Sequence, residues 1–474
     1  MPDRRRPRPR LLVLAAVAAA ALPAGARPVP AAATADPRPN VVVVMTDDEA
    51  LGNQWVMAAT NRLVGGAKGT TFAEAVVSYP LCCPSRATFL TGQYSHNHGV
   101  VSNQAPDGGY CALDPTDTLP VWLHEAGYAT AQVGKYLNQY GRCRPPDVPP
   151  GWDDWFAWIS SPDNGSYFDY TVDDDGEVVA FGHAEEDYST DVFARHAVDV
   201  IRARAAAPEP FFLLFEPHAP HSVDPVPAPR HAGALDGVAL PTPPSFNEAD
   251  VSDKPTFVST LPLLDARDVA DARDAYERRL EALLAVDEAV AAIVGALRDT
   301  GELRDTVIVF TSDNGFLQGQ HRIEAGKVHA YEESIRVPLL VRGGPFPAGA
   351  TVSRLVANVD LAATIVELAG AVPGHPLDGR SLVPIATDPG AGLGRQVLIE
   401  SSPTAEGGYR GVRTPRYAFV QYHDGQRELY DLDADPYQLE NRAGDPAYAE
   451  AERRLAGALA RLATCAGATC VTGS

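Results

Sequence analysis

The segment Pro39-Asn40-Val41-Val42-Val43-Val44-Met45-Thr46-Asp47-Asp48 indicates the architecture of this 474-residue chain. Its unbroken apolar run, mostly β-branched, is typical of a strand that is buried on both faces, as in parallel sheets. Two similar runs follow at 211–215 and 306–310, and residues 276–297 between them have the apolar spacing of a helix. Strands that alternate with helices predict an α/β domain with a large, mostly parallel sheet.

The chain changes character from about residue 395. Four short strand-like pieces, separated by turn residues, are followed by a charged, alanine-rich helical stretch. The pieces are 397–400, 411–413, 417–422 and 428–431, and the helical stretch is 446–463. This pattern predicts a small antiparallel sheet with a terminal helix. We therefore assign 36–394 to the main α/β domain and 395–474 to a C-terminal subdomain.

The N-terminal segment has the pattern of a secretory signal peptide. Five arginines within the first ten residues precede a twelve-residue apolar run at 11–22, and Ala33-Thr34-Ala35 matches a small-residue cleavage site. These features predict a signal peptide over 1–35 and a secreted, extracytoplasmic protein. The apolar run is too short to cross a bilayer, and no other run is long enough, so we expect no integral membrane span.

The charge balance narrows the classes of partner. The chain holds 61 acidic and 39 basic side chains, for a formal net charge of −22. The expected signal peptide contains six of the arginines, so the mature chain is more acidic still. Such a surface argues against nucleic acid or an anionic membrane as partner. An anionic substrate must instead be bound by a local cluster of positive side chains.

Polar side chains follow the three apolar runs. Asp47 and Asp48 follow the first run, His218 and His221 the second, and Asp313 and Asn314 the third. Because ligands of an open parallel sheet bind beyond the carboxyl ends of its strands, we expect these side chains to lie at one edge. The alternative is that the Asp and Asn residues only cap the helices that follow.

The oxygen donors after the first and third runs predict a metal site. Carboxylate and amide oxygens are hard ligands, and no Cys/His set with zinc spacing accompanies them. These donors suit Ca²⁺ or Mg²⁺, and an exported protein meets calcium at higher concentrations than a cytosolic one. We therefore expect a single Ca²⁺ ion.

The segment Cys82-Cys83-Pro84-Ser85-Arg86 places a thiol, a proline, a hydroxyl and a guanidinium within five residues. The proline predicts that no helix runs through the thiol, and that a helix starts afterwards with Ser85 as its cap. A cysteine beside an arginine at a helix N-terminus lies in a positive field, which favours anions and reactive sulfur chemistry. A structural disulfide, or a metal site made by the cysteine pair, are the alternatives.

The other four cysteines are expected to form disulfides, which an exported chain permits. Cys465 and Cys470 are close enough in sequence to close a small loop, and Cys111 and Cys143 are the natural second pair. This pairing leaves Cys82 and Cys83 free.

Basic side chains near these motifs predict an anion clamp. Arg86 lies one helical turn past Cys82, Lys135 follows a glycine after an apolar stretch, and Lys327 follows the third run. Together with a cation they would bind an oxyanion, although lone lysines are usually only solvated. His221 is the candidate general acid, because the unperturbed pKa of histidine lies near neutrality. His218 and His321 are weaker candidates, and His96 and His98 are interpreted as structural.

Taken together, the motifs resemble those of the type I, formylglycine-dependent sulfatases. The resemblance covers nearly the whole mature chain, in family order. It rests on the Asp47-Asp48 strand, the C-x-P-S-R motif at Cys82, Gly134-Lys135, Asp313-Asn314-Gly315 and Gly326-Lys327. The double cysteine and Lys135-Tyr136-Leu137-Asn138 resemble the N-acetylglucosamine-6-sulfatase and heparan 6-sulfatase branch. Many sulfatases carry a histidine where this chain has Leu137.

The resemblance implies an alkaline-phosphatase-like sandwich and an exported enzyme that hydrolyses sulfate monoesters of a sulfated carbohydrate, such as N-acetylglucosamine-6-sulfate. It implies that a formylglycine-generating enzyme oxidises Cys82 to formylglycine, the nucleophile. It also implies the following site residues: Ca²⁺ ligands Asp47, Asp48, Asp313, Asn314 and the residue derived from Cys82, and catalytic Arg86, Lys135, His221 and Lys327. One alternative is a phosphonate monoester or phosphodiester hydrolase on the same scaffold. Another is a non-catalytic carbohydrate-binding protein with an unmodified Cys82.

Overall fold

The protein is represented by a computed structural model that describes residues 36–143, 145–160, 165–221, 225–402 and 407–471. The expected signal peptide, 1–35, lies outside these residues.

A ten-stranded mixed sheet forms the centre of the main domain. In chain order its strands are β1 (Asn40–Thr46), β2 (Thr70–Val76), β3 (Ala129–Gly134), β4 (Asp154–Trp158), β5 (Tyr170–Asp174), β6 (Glu177–Phe181), β7 (Phe211–Glu216), β8 (Thr306–Ser312), β9 (Leu339–Arg342) and β10 (Ala350–Ala357). Their spatial order is β10-β2-β9-β8-β1-β7-β3-β4-β5-β6. The five central strands from β8 to β4 are mutually parallel, whereas β9, β5 and β6 each run antiparallel to the neighbours they pair with. The predicted mostly parallel sheet is confirmed.

Helices cover both faces of this sheet. In chain order they are α1 (Ala58–Leu63), α2 (Cys82–Thr91), α3 (Ser95–His98), α4 (Leu119–Glu125), α5 (Ser189–Arg204), α6 (Thr256–Ser259), α7 (Ala266–Thr300), α8 (Glu332–Ile335), α9 (Val359–Ala369) and α10 (Leu382–Thr387). Val42 and Val44 of β1 pack in one core with α5 and α7, while Val41 and Val43 pack in another with α2, α4 and α9. Because β1 is buried on both faces, its sequence is a continuous apolar run.

Two helices start earlier than the sequence predicts. Helix α2 begins at Cys82, with Leu81 as its N-cap and Pro84 inside its first turn. A proline is tolerated there because first-turn N–H groups have no partner within the helix, so the expected cap at Ser85 is wrong. Helix α7 extends the predicted 276–297 to Ala266–Thr300. Its first turns are polar and lack an apolar stripe, and a capping box of Asp265 and Asp268 stabilises their start.

The C-terminal sheet is antiparallel, as predicted, with the order β11 (Val397–Glu400), β12 (Tyr409–Arg413), β13 (Tyr417–Tyr422) and β14 (Arg427–Asp431). Helices α11 (Ala449–Leu462) and α12 (Ala468–Val471) follow. Leu398, Phe419 and Leu455 share a buried core with Val76 and Leu355 of the large sheet. The small sheet is therefore packed directly against the main domain.

The cysteines pair as expected. Cys111 is bonded to Cys143 and Cys465 to Cys470, while Cys82 and Cys83 are free and buried. Within the part of the chain that the structure describes, no helix combines the length and hydropathy that crossing a membrane requires.

Candidate active site

The carboxyl ends of three neighbouring strands form the site. β1 lies between β7 and β8, and the register places Val44 opposite both Phe215 and Phe310, so the strands end level with one another. The predicted polar side chains therefore meet at one edge of the sheet. Helix α2 begins at the same edge, where Cys82 Sγ lies 3.5 Å from Asp47 Oδ1.

Cys82 is enclosed by charged side chains. It has no exposed surface, and Lys327 Nζ donates a hydrogen bond to its Sγ at 2.9 Å. Burial raises the pKa of the thiol to about 12, although Lys135 and Lys327 oppose this shift. An unmodified Cys82 is thus a neutral thiol, and the neutral thiol is not the nucleophilic form of cysteine.

Three carboxylates cluster beside this thiol. Asp47, Asp48 and Asp313 each present an oxygen within 4.8 Å of the others. Burial, together with the charges of Asp47 and Asp48, raises the pKa of Asp313 to about 6. A bound cation would relieve this repulsion.

The fourth predicted ligand, Asn314, also fits a metal. Its Nδ2 donates to Asp48 Oδ1 at 2.7 Å, which leaves the amide oxygen free. Asn314 Oδ1 is buried and accepts a hydrogen bond from none of the described residues. A buried amide oxygen without a described partner, on a side chain that is bonded to Asp48, adds to the three carboxylates a further oxygen of the kind that a hard cation such as Ca²⁺ binds.

Both predicted lysines contact this carboxylate cluster. Lys135, in the loop after β3, pairs with Asp47, and Lys327 pairs with Asp48. Burial alone would lower the pKa of each ammonium, but the paired carboxylates raise it above the usual value of lysine. Both side chains therefore remain charged at neutral pH, and the solvated alternative is wrong.

Arg86 contacts four segments of the site. Its Nε donates to Asp313 Oδ2 at 2.9 Å, and its Nη1 donates to Glu216 Oε1 at 2.9 Å and to the Lys135 carbonyl at 2.8 Å. Nη2 lies 3.8 Å from Asp47 Oδ2. Glu216, the last residue of β7, was not among the predicted site residues, although its charge at the end of an apolar run is a detectable signal.

The histidines differ in their surroundings. His221 Nε2 lies 4.0 Å from Asp48 Oδ2, with 32% of the side chain exposed. Desolvation lowers the pKa of His221 to about 4 despite the opposing charge of Asp47, so its ring is neutral at neutral pH. His218 is buried against Trp158, with ring centroids 4.6 Å apart, and desolvation lowers its pKa well below the usual value.

The remaining histidines make structural contacts. His321 Nδ1 donates to Glu248 Oε2 at 2.7 Å, and its ring stacks on Tyr331. His96 bonds Glu400 and the Cys465 carbonyl, and His98 bonds Thr88.

Cys83 and Leu137 support the loop that carries Lys135. Cys83 Sγ accepts the backbone N–H of Asn138 at 3.0 Å and contacts Asn138 Oδ1 at 3.3 Å. Leu137 is buried in the same core as Cys83. Cys83 therefore fastens this loop to α2, and Leu137 brings no titratable group to the site.

The chain is similar to known sulfatases along most of its length. The sulfatase family model matches residues 39–371, and a model described as N-sulphoglucosamine sulphohydrolase, C-terminal, matches 319–464. The N-acetylglucosamine-6-sulfatase of Capra hircus is 35% identical over 497 residues, which cover 92% of this chain and 85% of the relative. The putative extracellular sulfatase Sulf-1 homolog of Caenorhabditis elegans is 34% identical over 355 residues, which cover 73% of this chain and 49% of the relative.

A solved structure extends the likeness to three dimensions. BT4656 in complex with its substrate D-glucosamine-2-N,6-O-disulfate superposes with a TM-score of 0.76 at 25% identity, covering 89% of this chain and 97% of that one. The family model, the sequence relatives and the solved structure each match most of the chain. The protein accordingly belongs to the sulfatase family and is a sulfuric ester hydrolase.

Proposed function

We propose that the protein is an exported sulfatase that removes a sulfate monoester from a sulfated sugar such as N-acetylglucosamine-6-sulfate, using a formylglycine made from Cys82 and one Ca²⁺ ion. The observation that carries this proposal is the position of Cys82. Its sulfur is buried between the Lys327 ammonium and the Asp47 carboxylate, at the N-terminus of α2.

The state of the thiol supports a modified nucleophile. Because burial raises its pKa to about 12, Cys82 is protonated at every pH at which the protein would work. Oxidation to the aldehyde, by a formylglycine-generating enzyme, replaces this thiol with a group whose hydrate supplies a hydroxyl nucleophile for covalent catalysis.

The acidic residues supply the metal ligands in this proposal. Asp47, Asp48, Asp313, Asn314 and the modified residue 82 would hold Ca²⁺, since their oxygens are clustered and one of them lacks a hydrogen-bond partner among the described residues. When bound, the ion polarises a sulfate oxygen and offsets the charge that develops there.

The basic residues bind and orient the sulfate group. Lys135 and Lys327 are charged and pair with the neighbouring carboxylates of Asp47 and Asp48, so a tetrahedral anion at residue 82 would meet both ammonium groups. Arg86 adds a third positive charge and fixes Asp313 in place. His221, the most exposed of these groups, would transfer a proton to the leaving sugar oxygen from its protonated form, which its lowered pKa makes the minor form at neutral pH.

The relatives support the substrate class and the export route. The goat protein is named for N-acetylglucosamine-6-sulfate hydrolysis, BT4656 binds a glucosamine sulfate, and the nematode relative is named extracellular. The two disulfides agree with an oxidising compartment.

Hydrolysis profiling tests the proposal. The mature protein, produced with its modification, is assayed on N-acetylglucosamine-6-sulfate, galactose-6-sulfate, an aryl sulfate, an aryl phosphodiester and a phosphonate monoester, with Cys82→Ala as the blank. We expect the highest kcat/KM among the sugars on the glucosamine sulfate, and slower turnover of the phosphorus esters. Faster hydrolysis of the phosphonate or the phosphodiester than of any sulfate would overturn the proposal.

A further inference from the structure

Arg279 connects the long helix α7 to the edge of the sheet where the carboxylates meet. Its side chain has no exposed surface, and its guanidinium donates a hydrogen bond to the backbone carbonyl of Asp48. The guanidinium carbon also lies 4.0 Å from the centre of the Phe316 ring, a cation–π contact. Asp48 follows β1 and Phe316 follows β8, so this one side chain touches both segments that carry the acidic cluster.

The backbone of Asp48 needs such support. Its φ of +64° lies in the left-handed region, which residues other than glycine adopt infrequently, although aspartate does so more often than most, and hydrogen bonds from neighbouring groups stabilise it. The Asp48 N–H donates to Asp313 Oδ1 at 3.0 Å, and its carbonyl accepts from Arg279. The residue is thus held at both ends, by Asp313 on one side and Arg279 on the other.

Arg279 bonds the main-chain carbonyl of Asp48 and not its carboxylate, and this matters for the metal site. Because Arg279 bonds the main-chain carbonyl, it leaves the carboxylate of Asp48 to other partners. Oδ1 accepts from Lys327 and Asn314, and Oδ2 faces His221 at 4.0 Å. Arg279 therefore adds positive charge beside the acidic cluster without occupying a ligand oxygen.

We propose that Arg279 is a positioning residue for the Ca²⁺ site, which fixes the Asp48 backbone and the spacing between the ligands after β1 and those after β8. The inference rests on the proposed function, in which Asp48, Asp313 and Asn314 hold the ion. Phe316 assists by holding the plane of the guanidinium. Partners that orient a ligand typically change metal affinity by about 10–100-fold when they are replaced.

Calcium titration of the full mature chain, followed by calorimetry, tests this inference. Arg279→Gln should weaken the Kd for Ca²⁺ by about 10–100-fold, and Arg279→Lys by less, since an ammonium can donate to the carbonyl but cannot stack on Phe316 as a plane. At low calcium kcat should fall, and excess calcium should restore it. The matched control is Arg395→Gln, another buried arginine, which pairs with Asp360 at 2.6 Å. It should lower the melting temperature and leave the Kd for Ca²⁺ unchanged.

The outcomes separate this inference from the function itself. If Asp313→Ala abolishes calcium binding while both Arg279 variants bind calcium within twofold of the wild type, Arg279 has no positioning role and the metal site stands. A Kd that weakens equally in Arg279→Gln and Arg395→Gln would also overturn the inference, since general destabilisation would then explain it. If the wild-type protein itself shows no calcium binding, the proposed metal and this inference both fail.

Discussion

Lys327 Nζ donates a hydrogen bond to Cys82 Sγ at 2.9 Å, and the same ammonium contacts the carboxylate of Asp48. One proton-bearing group thus contacts both the proposed nucleophile and a predicted metal ligand. Since the Asp48 carboxylate raises the pKa of Lys327 against the effect of burial, this ammonium is charged over the whole working range of pH.

Modification should be confined to the first of the two adjacent cysteines. Cys82 faces the charged groups, whereas Cys83 is bonded to the loop at Asn138. Peptide mass spectrometry of active protein should show the mass loss of thiol-to-aldehyde conversion at residue 82 alone. Cys82→Ala should abolish turnover. Cys83→Ala should retain turnover and lose about 1–2 kcal/mol of stability. A fully active preparation with an intact Cys82 thiol would disprove the assignment.

Loss of one carboxylate should remove the metal. Asp313→Ala takes away an oxygen of the cluster and the partner of Arg86, so we expect no calcium binding and a fall in kcat of more than about 100-fold. Asp360→Ala is the control, because Asp360 is equally buried and pairs with Arg395 instead. Metal analysis and activity after chelation are the measurements. Stoichiometric zinc, or activity that survives exhaustive chelation, would contradict the calcium site.

Proton transfer by His221 should depend on the leaving group. His221→Ala should slow hydrolysis of a sugar sulfate, which releases a poor alkoxide, more than that of an activated aryl sulfate. The difference should be about 10²–10⁴-fold, the usual size of general acid catalysis. Equal losses on both substrates would instead favour Lys327 as the acid, with His221 only binding sulfate.

The pH profile gives an independent check on His221. Its pKa is lowered to about 4, so its protonated fraction decreases as the pH rises above that value. In calcium-saturated protein, kcat/KM for the sugar sulfate should decrease from pH 5 to pH 7, and this dependence should be absent from His221→Ala. If the variant keeps the wild-type profile, another group supplies the proton.

Glu49 should make stability depend on pH. It is fully buried, and desolvation raises its pKa from 4.5 to about 7, although Thr46 and Gln54 donate hydrogen bonds to it. A folded-state pKa above the unfolded value means that the stabilisation is complete below pH 4.5 and is lost as the pH rises towards 7. At about 1.4 kcal/mol per pKa unit, the loss amounts to about 3 kcal/mol.

Glu49→Gln tests this linkage. Urea unfolding of calcium-free protein between pH 4.5 and 8 should show a smaller decrease in the free energy of unfolding for the variant than for the wild type. Glu450→Gln, at an exposed position of α11, controls for the removal of one charge. Identical pH dependence in the wild type and Glu49→Gln would refute the prediction.

The parallel core and the main site groups could be predicted because they depend on local pattern. β1, β7 and β8 are buried on both faces and so appear as apolar runs, and the polar residues after them must meet once the strands lie side by side. The antiparallel direction of β9 gave no such signal, because a strand of four residues, three of them buried, does not encode a direction.

The contacts that hold the site were harder to predict. Arg279 occurs in a helix rich in charged residues, and its burial depends on Phe316 and Asp48, which are distant in sequence. The early start of α2 is hard to predict for a different reason: proline usually breaks a helix, but Pro84 lies in the first turn, where a helix accepts proline. The roles of Arg86, Lys135, His221 and Lys327, and the domain boundary at 394, stay predictions.

The complete burial of Cys82 has a practical consequence for producing the enzyme. The proposed function requires a second protein to oxidise this sulfur. Since the sulfur has no exposed surface in the folded protein, that enzyme must reach the segment before the domain closes around it. Whether oxidation of Cys82 precedes folding then determines what fraction of the protein is active. Protein made in a host without the modifying enzyme, or refolded from unmodified chains, should fold normally and remain inactive, and adding the modifying enzyme afterwards should not restore it.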